Sequence, residues 1–255
     1  MVRTIQPKIK ATLIGLAALV TSALPASADV IFKGARGPTD WQLDVRAAYA
    51  RNEKGVETIT ETLFLKYWDG KQKGKWFFAN VPYKHISSSH KESAGIGDIT
   101  LGAGPRGTVG NFHFLPYGGI TLPTASVNSA GTPALGNGRH DLKAGCFVTY
   151  LTKGKGFEVD GSLEYAVTGE NRQKVNPPNE LAAGFVVGGK LGHFRTAAGL
   201  TGFRRENGDY LLNARGTVRY IVSQKIHFEV IGDKTVQNEN IPKATSVIGI
   251  MRYNF

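Results

Sequence analysis

Six histidines and a single cysteine are the first residues to weigh in this 255-residue chain, because imidazole and thiolate carry much of the metal and nucleophile chemistry open to a protein. His85 and His90 flank Ser87-Ser88-Ser89 and lie close to Glu92, a grouping with enough ligand atoms for a metal ion but no firm ligand spacing. A solvated polar loop accounts for it better. His113, His140, His193 and His227 fall in separate segments, and Cys146, alone in the chain, permits no internal disulfide. Gly102-Ala103-Gly104-Pro105-Arg106-Gly107 matches the G-x-G-x-x-G dinucleotide fingerprint, which works only when the last glycine opens a helix that receives a pyrophosphate. The next stretch, Thr108 to Gly119, reads as a turn and a strand, so these glycines are expected to make a tight turn. The expectation is a protein that is not an enzyme, with no catalytic residue, metal site or cofactor.

The other chemistry-bearing side chains are charges, and they recur at every second position. Arg46, Lys66, Asp98, Lys143, Glu164, Lys190, Arg195, Arg215, Arg219, Glu229 and Arg252 each lie on the more polar side of a segment that alternates with period two. Arg215 and Arg219 share a face with Asn213 and Thr217 and make a basic stripe with Arg195 and Lys190. Glu158, Asp160, Glu164 and Glu229 supply acidic partners in number.

Period two is the mark of a strand, because successive side chains point to opposite faces. Trp41 to Ala50 alternates in this way, as do Asp141 to Tyr150 and Phe157 to Tyr165. Further strands are expected at Thr60–Tyr67, Lys75–Tyr83, Ile96–Ala103, Phe112–Leu122, Leu181–Leu191, Phe194–Arg204, Tyr210–Val222, Lys225–Thr235 and Ala244–Phe255. No helix is expected. Pro82 fits the end of its strand better than the middle. Glu61 interrupts an apolar face and is acceptable there only near a membrane rim.

Twelve strands make an all-β, antiparallel, up-and-down barrel, and its polarity decides its surroundings. A soluble barrel buries an apolar inside, whereas here the charges share one face strand after strand. Trp41, Tyr49, Tyr67, Tyr150, Phe157, Tyr165, Tyr210, Tyr220 and Tyr253 stand at strand ends on the apolar face, as the girdles of a transmembrane barrel do. Long polar connections at His85–Gly95, Pro123–Gly138, Gly169–Glu180 and Val236–Lys243 alternate with tight turns at Thr152–Gly156, Gly192-His193 and Ser223-Gln224. Asn52–Gly55 and Glu206–Asp209 are short exceptions.

The two ends agree with this. Residues 1–28 have a basic start (Arg3, Lys8, Lys10), an apolar run from Ala11 to Ala23 and an Ala26-Ser27-Ala28 cleavage pattern, so a signal peptide is expected ahead of a barrel spanning 29–255. The final strand ends on Tyr253, Asn254 and Phe255 and resembles the closing strand of bacterial outer-membrane barrels, whose terminal aromatic is read by the barrel-assembly machinery. The net charge of +11 would fall by three on removal of the signal. Export argues against nucleic acid as the partner of that charge. Outer-membrane lipid, lipopolysaccharide and a small-molecule solute are expected, in the outer membrane of a Gram-negative bacterium.

Gly95-Ile96-Gly97-Asp98-Ile99-Thr100-Leu101-Gly102-Ala103-Gly104, followed by Leu122-Pro123-Thr124-Ala125 and the stretch to Gly145, resembles the outer-membrane barrels of the phenol degradation meta-pathway family. A glycine commonly follows Leu-Pro-Thr in that family, and Ala125 stands there here. The resemblance implies a channel for passive uptake of small solutes, aromatic compounds among them, and no catalytic residues. The histidine and serine motifs of outer-membrane phospholipases and lipid A deacylases are absent. The basic stripe keeps open a pore for anionic oligosaccharides or organic acids, and paired interior charges keep open a closed structural or adhesive barrel.

Overall fold

The computed structural model describes residues 40–69, 74–88, 91–125, 134–136, 138–152, 156–170 and 177–255. The expected signal segment 1–28 lies outside the described residues, as do parts of the connections expected at 85–95, 123–138, 152–156 and 169–180.

Alternation becomes strand throughout. The segments are β1 (Asp40–Asn52), β2 (Glu57–Trp68), β3 (Gly74–Ser88), β4 (Lys91–Ile96), β5 (Ile99–Val109), β6 (Phe112–Leu122), β7 (Asp141–Leu151), β8 (Phe157–Thr168), β9 (Glu180–Leu191), β10 (Phe194–Arg205), β11 (Tyr210–Ile221), β12 (Ile226–Glu239) and β13 (Ala244–Asn254). Each pairs antiparallel with its neighbours, and β1 pairs with both β2 and β13, so the sheet closes on itself. Phe255 N–H donates to the Trp41 carbonyl at the seam, 3.0 Å away. Both β4 and β5 pair with β3 and form one crossing interrupted at Gly97 and Asp98. The wall is therefore crossed twelve times, as the alternation predicts.

The interior is polar and the exterior apolar. On β2, Leu63 is 53 % exposed and its neighbour Thr62 only 7 %; across the barrel, Asp44, Arg215, Arg219, Glu229 and Arg252 are buried while Leu142, Phe185 and Val230 face outward. A soluble barrel would show the reverse, so this arrangement is stable only with hydrocarbon around it. The described aromatics of the expected girdles lie on that outer face, with Trp41 beside Tyr67 (ring centroids 4.9 Å apart) and Tyr253 beside Phe255 (4.8 Å) at the end where β1 begins and β13 finishes. Glu61 is exposed on the outer face and stands opposite Tyr83 and Ala47 in the ladder.

Four local expectations are corrected. Most of His85–Gly95 is not loop: β3 continues to Ser88 and β4 begins at Lys91, and their pairing extends the sheet beyond the strand bounds read from sequence. Pro82 lies mid-strand, where β3 passes from β5 to β4; the interruption there removes the need for its missing N–H, and its carbonyl accepts from Gly97 N–H at 2.7 Å. Gly102–Gly107 is strand, not turn, and the turn comes at Gly110, where φ is 60°. Gly104 is needed for closeness: a Cβ there would run into the Pro116 carbonyl oxygen of β6. The Val236–Lys243 connection shortens because β12 continues to Glu239.

Candidate functional site

The lumen is built by the inward half of every strand, and its sides differ. On the side formed by β11, β12, β13, β1 and β2, long charged side chains meet in one network. Arg252 on β13 bridges Asp44 on β1 (Nε to Oδ1, 2.8 Å) and Glu229 on β12 (Nη2 to Oε2, 3.5 Å). Glu229 also receives Arg219 of β11 at 2.7 Å, and Asp44 receives Arg46 at 3.0 Å with Lys66 3.8 Å away. Arg215 holds Asp233 through two hydrogen bonds of 2.6 Å. Register explains the meeting: Arg215 stands opposite Asp233, Arg219 opposite Glu229, and Asp44 opposite Arg252. Cross-strand opposite charges are the sheet's equivalent of a helical ion pair. Ile231, Ile248 and Ile250 pack among them.

On β2, β3, β6 and β7 a group of inward rings meets near one end of β2 and β3. Trp68, Trp76, Leu115 and Tyr117 form a buried cluster against which Phe78 and Phe147 pack. Trp76 meets Tyr117 edge-on at 5.6 Å, and Tyr117 stacks on Phe147 at 5.2 Å with 12° between planes. The Trp76 indole donates to the Pro116 carbonyl at 3.2 Å. Phe64 carries the junction between the two sides, with the Arg46 guanidinium 4.4 Å and the Lys66 ammonium 4.5 Å from its centroid. Tyr117 Oη also donates to Glu164, which Lys143 approaches at 3.2 Å.

From β8 to β10 small inward residues alternate with paired charges, Arg195 with Glu158 and Arg205 with Glu180. Ser162 stands opposite Gly184, Gly184 opposite Thr201, and Gly188 opposite Ala197. Val186 among them is packed against Phe147 and Ala197. The connection after β6 folds back into the far end. Thr124 Oγ1 donates to the Gly97 carbonyl (2.8 Å) and accepts from Ile99 N–H (3.0 Å), closing the interruption between β4 and β5. Ala125 N–H donates to Asp98 Oδ1 at 3.1 Å, and Leu135 packs with Val56, Ile86 and Ala125.

The residues singled out by sequence are thus brought into three groups. Arg46, Lys66, Arg219, Glu229 and Arg252 join one network, with Arg215 beside it on β11; Lys143 and Glu164 pair with each other; Asp98 anchors the connection. Arg195 pairs with Glu158 at 2.8 Å, and Lys190 is exposed at the end of β9. The basic stripe is matched by carboxylates at Arg215, Arg219 and Arg195. The inner ring cluster went unread, because Trp76, Phe77 and Phe78 in succession hide the alternation of β3; the one available signal was Phe147 on a polar face. Of the His85, His90 and Glu92 grouping, His90 lies outside the described residues, and His85 pairs with Glu92 across the hairpin at 3.6 Å, both exposed. Among the described residues no cluster of His, Cys, Asp and Glu is suited to a metal ion. Cys146 is a free, half-buried thiol on the outer face.

Solved structures with this architecture are outer-membrane proteins. The COG4313 outer membrane channel from Pseudomonas putida F1 matches with a TM-score of 0.75 at 15 % identity, over 88 % of this chain and 99 % of that one. The KdgM porin in complex with disordered oligogalacturonate matches with a TM-score of 0.53 at 10 % identity, over 84 % and 99 %. The CymD monoaromatic hydrocarbon channel matches with a TM-score of 0.50 at 8 % identity, over 89 % and 92 %. No curated protein sequence matches the chain. The inverted polarity and the shared fold place the protein in the outer membrane of a Gram-negative bacterium. Residues 70–248, well over half of the chain, match the model of the family described as "Putative MetA-pathway of phenol degradation", and the chain belongs to that family.

Proposed function

We propose that the barrel is a passive channel that admits small solutes, aromatic compounds among them, and performs no catalysis. One observation supports this: a single charged network gathers on the side from β11 to β2, and a ring cluster with Ser162, Gly184, Gly188 and Thr201 nearby lies across from it, so the wall offers both a polar and an apolar bank. The family's description points to phenol degradation, and the CymD structure is titled a monoaromatic hydrocarbon channel. Lumen-lining roles are assigned to Lys143 and Glu164 on the open side, and to Arg195 and Lys190 near the end where β1 begins and β13 finishes. Arg46, Lys66, Arg215, Arg219, Glu229 and Arg252 form the fixed bank opposite, and Asp98 holds the inward connection. Cleavage after Ala28, insertion by the barrel-assembly machinery through Tyr253 and Phe255, and contact with lipopolysaccharide complete the reading.

A pore for anionic oligosaccharides or organic acids is favoured by one feature. The central network sets four cations, Arg46, Lys66, Arg219 and Arg252, against two carboxylates, Asp44 and Glu229. Swelling of liposomes that contain the purified protein separates the two. Entry of benzyl alcohol and phenol ahead of equally sized sugars supports the aromatic route. Preferential entry of oligogalacturonate supports the second, and a folded barrel that admits neither contradicts both.

A further inference from the structure

Arg106 differs from the other buried arginines among the described residues. Arg46, Arg215, Arg219 and Arg252 each have a carboxylate oxygen within 3.0 Å. Arg106 is only 6 % exposed, yet its Nε and Nη1 have no hydrogen-bond partner, and among the described residues it makes no ion pair. Its place on β5 puts it beside the ring cluster. It stands opposite Gly74 on β3, two positions from the Trp76–Gly104 pair. The register that aligns Ala103 with Gly118 and Gly107 with Phe114 brings Leu115 opposite it on β6, with Tyr117 two positions further. Diagonal neighbours of this kind have Cβ atoms about 7–8 Å apart, within reach of long side chains. Gly74 and Gly104 contribute no side chain between the guanidinium and the rings.

A buried cation without a counter-charge is costly, and buried charges are therefore normally paired. Among the described residues no counter-charge stands beside it, so an anion brought in by a solute fits the position. A guanidinium offers a flat fork of donors that matches a carboxylate in two parallel hydrogen bonds. Trp76, Tyr117 and Phe147, already packed edge-on and stacked on one another two strand positions along, make an aromatic surface that a further flat ring can join. We propose that Arg106 and this cluster form a subsite for aromatic carboxylates, the Arg106 fork holding the carboxylate and the cluster the ring. This deepens the channel reading and rests on it.

The test uses the protein purified from outer membranes and reconstituted in planar bilayers, with chloride carrying the current and sodium benzoate, sodium acetate or benzyl alcohol added. Benzoate should block at lower concentration than either acetate or benzyl alcohol, since only benzoate presents both groups. Arg106→Gln should weaken the benzoate block roughly tenfold, the scale of a lost charge-assisted hydrogen bond, and leave the benzyl alcohol block unchanged. Arg106→Lys, which keeps the charge and loses the fork, should fall between; it carries the test if the glutamine variant fails to fold. An unchanged benzoate block in these variants, or equal losses for benzoate and benzyl alcohol, would overturn the subsite. Wild-type protein that conducts chloride with no preferential benzoate block defeats the subsite alone, whereas wild-type protein that conducts nothing defeats the channel reading too.

Discussion

The two sides of the lumen share a backbone and divide the work. From β11 through β13 to β2 the inward positions hold Arg, Asp, Glu and Lys that satisfy one another across strands. From β7 to β10 the inward charges form separate pairs, Lys143 with Glu164, Arg195 with Glu158 and Arg205 with Glu180, and Ser162, Gly184, Gly188, Ala197 and Thr201 stand between them, with rings on the neighbouring β3, β6 and β7. In a polar-lined barrel of twelve strands, side-chain size at these positions decides what is filled and what is open. The charged side reads as the brace, because its partners are fixed by register, and the small side as the path.

Substitutions can break that division. The largest effect is expected at Asp44, fully buried against Arg46, Lys66 and Arg252. Asp44→Ala leaves three cations around an absent carboxylate and should cost about 3–5 kcal/mol, measured by urea unfolding of the folded barrel. By the same logic, Arg215→Glu/Arg219→Glu sets new carboxylates against Asp233 and Glu229 and should unfold the barrel before it reports on ion preference. Next comes Gly104→Val, which pushes a side chain into the Pro116 carbonyl and should cost about 1–3 kcal/mol with loss of the Trp76–Pro116 bond. On the path side, Ser162→Trp should lower unit conductance while leaving the urea midpoint close to wild type, since its neighbours Gly184 and Phe147 leave the charged network untouched. If Ser162→Trp destabilised as strongly as Asp44→Ala, the division would be wrong.

The smallest effect is at the rim. Glu206, between β10 and β11, accepts from Tyr165 Oη at 2.8 Å and Asn179 Nδ2 at 2.9 Å, and these bonds hold its carboxyl below the usual carboxylate range. A depressed carboxylate pKa means that the contribution is present above the ordinary value of about 4.3 and fades as pH falls through the lower one. Protection of Asn207 and Gly208 against hydrogen exchange, taken relative to the intrinsic rate at each pH, should therefore fall in acid in the wild type and already be low at neutral pH in Glu206→Gln.

Much of this was legible in the residues. Period-two alternation in β1, β7, β8 and β13 gave strand, face and the inverted polarity together, because one face of each strand had to meet lipid. The strand count survived even where bounds moved. What stayed hidden depended on contacts distant in sequence. Gly102 to Gly107 reads locally as a turn, and only the closeness of β6 shows why glycine is required at Gly104. Pro82 is acceptable mid-strand only because Gly97 and Asp98 interrupt the facing strand. The pairing that neutralises Arg215 and Arg219 requires the register of β11 on β12, which no single-strand pattern contains. The inner ring cluster was masked because β3 carries aromatics on both faces.

Single-channel recording of the purified, heat-modifiable barrel tests the central claim most directly. The two-sided lumen predicts steady, discrete openings in the wild type and smaller openings in Ser162→Trp. A correctly folded barrel that stays silent, or openings that Ser162→Trp leaves unchanged, would contradict it.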